Sequence, residues 1–118
     1  MEKVVGIGGI FLKAKDPVAL RKWYEDHLGI PDSEWGHMFE PTGQTVWSLF
    51  PDTTEYFQPS QREFMINYRV SDFDAMIKQL RDAGVTVDEK TEDQEYGKFG
   101  WAMDPEGNRF ELWQPPAE

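Results

Sequence analysis

A chain of 118 residues makes one domain, 1–118, with a modest core and no room for two. Hydrophobic residues make up 39% and charged residues 29%, a globular composition, and 22 acidic against 12 basic residues give a net charge of −10 that repels nucleic-acid phosphates and anionic lipid surfaces. The absence of cysteine excludes disulfides, thiolate nucleophiles and thiolate-held zinc or iron–sulfur centres. Residues Met1–Val4 lack a basic-then-apolar leader and no apolar run approaches a membrane span, so neither membrane nor nucleic acid is an expected partner and the cytoplasm is the expected location.

In chain order, Val5–Ala14 is a β-leaning run, and Asp16-Pro17 opens a helix with a capping carboxylate and a proline at the first helical position. Leu20, Trp23, Tyr24 and Leu28 follow at helical spacing, and Gly29 ends the helix. Short strands are predicted at Ile30–Ser33, His37–Glu40 and Thr45–Phe50, and the proline-bearing stretch Pro51–Gln61 links this half to the next. Phe64–Val70 is again strand-like. Ser71 or Asp72 caps a second amphipathic helix marked by Phe73, Met76, Ile77 and Leu80 and stopped at Gly84. Val85–Glu89, Phe99–Met103 and Arg109–Trp113 then read as strands, with a tight turn at Asp104–Asn108.

The two halves are an approximate repeat: Asp16 aligns with Asp72, Ala19 with Ala75, Lys22 with Lys78 and Asp26 with Asp82, all at one offset. Each half reads β-α-β-β-β, over residues of about 1–52 and 62–118. One helix cannot cover both faces of four strands. The predicted fold is therefore α+β: two βαβββ half-units forming a shared curved mixed sheet, with helices on the outside and a concave pocket inside.

Strand alternation sorts the side chains by face. Glu111 shares its face with Arg109 and Trp113, with Val46, Ser48 and Phe50, with Ile7, Gly9, Phe11 and Lys13, and with Met65, Asn67 and Arg69. The other face, with Ile10, Leu12, Leu49, Ile66, Tyr68, Val70, Phe110 and Leu112, is more uniformly apolar and is predicted to pack on the helices. With aromatics at 14% and five tryptophans, rings are expected to line a cavity or a subunit interface, or to lie at the edge of the core.

The runs Lys15-Asp16-Pro17, Trp23 to Ile30, Arg81 to Val85 and, above all, Asp104-Pro105-Glu106-Gly107-Asn108 leading into Arg109 to Trp113 resemble the vicinal oxygen chelate superfamily. That superfamily holds glyoxalase I, extradiol dioxygenases and bleomycin-resistance proteins. The resemblance implies metal ligands on the first and last strands of each half, which fall here on Gly9, Ser48, Met65 and Glu111. Of these only Glu111 is a hard oxygen donor, and a catalytic dication usually takes about three protein ligands, so no metal or other cofactor is expected. His27 suits the dipole at a helix end, and His37 stands near the pocket rim.

The leading expectation is a metal-independent small-molecule binding protein that takes an apolar or aromatic ligand, similar to the bleomycin-resistance members that sequester an antibiotic. Its predicted binding residues are Phe11, Ser48, Phe50, Met65, Asn67, Arg69, Arg109 and Trp113. Glu111 is the catalytic candidate: a general base or ligand anchor, or else a carboxylate satisfied by Arg109, Arg69 or Asn67. Two other readings stand beside it: a metal-dependent lyase, isomerase or dioxygenase using Glu111, and an interaction module whose concave face is filled. The resemblance also implies a homodimer.

Overall fold

The computed structural model describes residues 1–3, 9–41 and 43–117. Helix α1 spans Pro17–Leu28, followed by β1 (Ile66–Arg69), α2 (Phe73–Asp82), β2 (Glu92–Gln94), β3 (Gly97–Met103) and β4 (Arg109–Gln114). The four strands form one mixed sheet in the order β1-β4-β3-β2. The β1–β4 pair is parallel and the other two are antiparallel.

Both helices begin as their sequences dictate. The carboxylates of Asp16 and Asp72 accept from the backbone N–H of Ala19 and Ala75, each at 3.0 Å, and so satisfy donors that the first turn leaves unpaired. Gly29 closes α1 in the left-handed conformation, at φ 70°.

The core lies between α2 and one face of the sheet. Phe73, Ile77 and Leu80 pack on Ala102, Phe110 and Leu112, with Trp23, Leu28 and Tyr68 around them. Gly100 permits the contact: a Cβ there would stand 2.9 Å from the Phe73 ring and 3.1 Å from the Ile77 side chain. Phe110 and Leu112 keep 1% or less of their surface, and removing side chains of this size from water supplies about 1.5–3 kcal/mol each.

The Asp104–Asn108 turn fastens α1 to this core. Asp104 Oδ1 accepts from the backbone N–H of Glu106 and Asn108, while Oδ2 accepts from the Asn108 amide and, at 2.8 Å, from the Tyr24 hydroxyl. Glu106 reaches back with both oxygens to the backbone N–H of Lys15 and Asp16, at 2.7 and 3.1 Å. Burial, then the neighbouring Tyr68 and the bond to Asp104, pushes the Tyr24 hydroxyl far above the usual tyrosine range.

The two halves end in different conformations. The second forms β1-α2-β2-β3-β4, with two departures from expectation. Val85–Glu89 contributes a single bridge, Val87 to Ala102, and the extra pairing falls instead on Glu92–Gln94, which the Glu95-Tyr96 turn folds back onto β3. Among the described residues, the first half contributes α1 and no strand. The segments expected at Ile30–Ser33, His37–Glu40 and Thr45–Phe50, and the described part of Val5–Ala14, have no ladder partner, and a strand without one has no regular hydrogen bonds to hold it. The predicted helix-facing residues Ile10 and Leu49 are accordingly exposed, and so is Leu12. Ile7 lies outside the described residues. The α+β class and the mixed sheet with two helices are as expected; the first half-unit's share of that sheet and the concave pocket are not seen among the described residues.

Candidate functional site

The strand register places Glu111 on the face away from the helices. It stands opposite Trp101 on β3 and Asn67 on β1, so the three side chains converge on that face. Glu111 is 8% exposed and Trp101 3%. A carboxylate taken this far from water needs donors, because an unpaired one costs several kcal/mol. Glu111 has three: its Oε1 accepts from the Asn67 amide at 2.7 Å, and its Oε2 accepts from the Trp101 indole N–H at 2.9 Å and from the Tyr56 hydroxyl.

Tyr56 comes from the linker between the halves. That segment is built of consecutive turns, closed by backbone bonds from Thr54 to Pro51, Gln58 to Glu55 and Ser60 to Phe57. The Tyr56 ring stacks on Phe50 at 5.5 Å and meets Trp101 edge-on at 5.9 Å, and Phe57 closes the group against Phe50 at 5.3 Å. Burial first, then the bond to Glu111 and its charge, pushes the Tyr56 hydroxyl well above the usual tyrosine range, so at neutral pH it is a donor.

Arg109 completes the surroundings without pairing with Glu111. Its guanidinium lies over the Trp101 ring, 5.4 Å from the centroid, donates to the Tyr56 carbonyl at 3.2 Å, and faces Asp88 at 3.5 Å. None of the ion pairs among the described residues involves Glu111. The carboxylate is therefore held by neutral donors alone. Of the partners expected for it, Asn67 makes the bond and Arg109 and Arg69 do not; Arg69 Nη1 donates to the Gln44 carbonyl instead, at 2.6 Å.

The other predicted binding residues divide. Phe50 joins the site through Tyr56. Trp113 stands one pleat along β4, its ring parallel to Phe99 at 6.1 Å and its indole N–H on the Tyr96 carbonyl at 2.9 Å. Met65 is half-buried just before β1. Phe11, at 94% exposure, and Ser48 face solvent and make no hydrogen bond to Glu111. Two residues of the site were absent from the sequence-derived set. Trp101 was legible, since a hairpin closed at Asp104–Asn108 sets it directly across from Glu111. Tyr56 was not, because it reaches the sheet from an irregular loop that carries no periodicity.

The four superfamily ligand positions bring one carboxylate and no second charged donor. Gly9 has no side chain, Ser48 is exposed, Met65 is a thioether, and both oxygens of Glu111 already accept from neutral donors. No group of three or more His, Asp or Glu side chains comes together among the described residues. His27 packs on Trp23 at the end of α1, and the exposed His37 rests against Phe39. Surface depressions of about 370 and 330 Å³ lie along α2 and do not reach Glu111, which Tyr56 covers.

Residues 9–113 match the model of the glyoxalase-like domain family. The chain belongs to the glyoxalase-like family. Two solved structures share its fold over nearly their full length. TnmS3, an antibiotic-binding protein from Streptomyces sp. CB03234, is 21% identical, with 98% of this chain and 100% of that one covered at a TM-score of 0.61. A member of the glyoxalase/bleomycin resistance protein/dioxygenase superfamily from Sphaerobacter thermophilus DSM 20745 is 20% identical, with 94% and 98% covered at a TM-score of 0.59. Other structures are matched over about half their length, as with a conserved domain protein covered to 47%. No protein of curated function matches the sequence. In this glyoxalase-like chain no helix among the described residues is long and apolar enough to cross a membrane.

Proposed function

We propose that this glyoxalase-like chain is a metal-independent small-molecule binding protein that takes an apolar or aromatic ligand on the sheet face around Glu111. The observation that carries the reading is a buried carboxylate held by neutral donors among aromatic side chains, Trp101, Tyr56 and Phe50. Such a site presents apolar contact area with one polar anchor, the common make-up of a pocket for a small organic compound. Asn67 sets the anchor's orientation, Arg109 and Trp113 extend the surface to either side along β4, and Arg69 on β1 and Met65 just before it border the surface. The antibiotic-binding neighbour of the same fold is in keeping with this reading.

The protein is further proposed to act in the cytoplasm as a homodimer. The support is the exposed apolar surface of the first half, where Phe11, Trp47 and Leu49 are 94, 72 and 79% exposed. A second copy would cover such a surface and bring Phe11 and Ser48 toward a site. Sedimentation analysis is expected to show a dimer, and a monomer at micromolar concentration would remove this part of the reading.

The experiment that tests the function is metal analysis of protein purified without chelator, combined with tryptophan-fluorescence titration against a panel of aromatic compounds. Substoichiometric metal and saturable quenching by some of the panel are expected. Near-stoichiometric divalent metal would replace this reading with a metal-dependent lyase, isomerase or dioxygenase.

A further inference from the structure

The donors on Glu111 are not equivalent. Asn67 and Trp101 stand on β1 and β3, paired to β4 on either side by the strand ladders, so they accompany the carboxylate wherever the sheet goes. Tyr56 is brought by a turn-built linker, is 38% exposed, and is joined to the sheet by its own hydroxyl, its ring contacts and the Arg109 bond to its carbonyl. The place it fills has a definite chemistry. One side is an aromatic face, Phe50; another is an indole edge, Trp101; and the end is a carboxylate oxygen that accepts from a hydroxyl.

We propose that Tyr56 is a built-in stand-in for the ligand, and that the Glu111 site takes a hydroxyaromatic compound whose ring and hydroxyl replace those of Tyr56. This rests on the small-molecule reading above and names the ligand class. The selectivity follows from the buried carboxylate. If Tyr56 withdraws, Oε2 loses a donor, and a group that cannot donate leaves it short, at a cost that falls on the complex. An incoming ring must therefore bring a donor of its own. The neighbouring cationic place is already filled, by the Arg109 guanidinium over Trp101 and on the Tyr56 carbonyl, and the oxygen that Tyr56 would leave is one that accepts from a neutral hydroxyl.

The test uses 2-naphthol, 2-methoxynaphthalene (the same ring with no donor) and the 2-naphthylmethylammonium ion, titrated calorimetrically into the wild-type chain and into Tyr56→Phe. Phenylalanine keeps the ring and removes the competing hydroxyl. For wild type, 2-naphthol is expected to bind about tenfold tighter than the ether, the worth of one hydrogen bond to a charged group. In Tyr56→Phe both affinities are expected to rise by about tenfold, because neither ligand then displaces a competing hydroxyl, with the preference for naphthol over the ether retained. In wild type, saturating naphthol is also expected to speed amide exchange at Thr54, Gln58 and Ser60 as the linker is displaced, a readout that does not depend on the variant folding. Binding of naphthol and ether with equal affinity, tighter binding of the ammonium ion, or slowed linker exchange would overturn the assignment and leave the small-molecule reading in place. Failure of all three compounds to bind either protein would overturn both.

Discussion

Beneath α2, Phe110, Leu112 and Ala102 keep 1% or less of their surface, whereas Ile10, Trp47 and Leu49 in the first half keep 58, 72 and 79%. Both sets sit in β-leaning, apolar-rich stretches, and both halves have a capped helix to pack against. The difference lies in hydrogen bonding across the chain. β4 has a neighbour on each side, β1 and β3, so its apolar positions are fixed on one face and a helix can cover them. Residues 9–14 and 45–50 have no such neighbours in the described chain, and their alternation has no sheet to act on. An apolar stripe specifies a buried face only where a partner strand first fixes its register.

This contrast can be broken most sharply by paired truncations. Phe110→Ala is expected to destabilise the protein by about 3–5 kcal/mol in urea unfolding, the cost of a large cavity in a packed core, against less than about 0.5 kcal/mol for Trp47→Ala at protein concentrations too low for a second copy to cover Trp47. A Trp47→Ala loss that grows with protein concentration is expected where a second copy covers the first half, and a loss that stays small at every concentration would remove that cover.

The next effect concerns the joint between the halves. Asp104→Ala removes the acceptor for Tyr24, Glu106 and Asn108 together, and is expected to cost about 2–4 kcal/mol, since buried donors lose their partner. Amide exchange should rise first in α1, which is tied to the sheet through this turn. Uniform exchange across both helices would mean that α1 is held chiefly by its ring contacts with Phe110.

The smallest effect is a pH dependence. Tyr24 has a folded pKa raised above the ordinary value of 10.0, so the fold favours its neutral form. The stability this supplies is fully present below pH 10.0 and declines as pH rises beyond it, because only the unfolded chain ionises freely there. Tyr24→Phe is expected to cost about 1 kcal/mol at pH 7 and to flatten the loss of stability at alkaline pH. An unchanged alkaline slope would assign that loss to Tyr56 and Tyr68, which are shifted in the same direction.

Much of this was legible in the sequence because it depends on neighbours along the chain. Asp16 and Asp72 cap their helices, and Gly29 ends α1, through bonds that span three or four residues. The Asp104–Asn108 turn sets the β3–β4 register, and period-two alternation then puts Glu111 and Asn67 on one face and Phe110 and Leu112 on the other. Only the tertiary structure decided the rest. It brought Tyr56 from an aperiodic loop, 55 residues before Glu111, to the carboxylate's second oxygen, and it gave Arg109 to Trp101, Asp88 and the Tyr56 carbonyl. Among the described residues it also left the β-leaning runs of the first half unpaired. The physical reason is common to all three: contacts between distant segments are set by which surfaces compete for one another in the folded chain, and no local spacing encodes that competition.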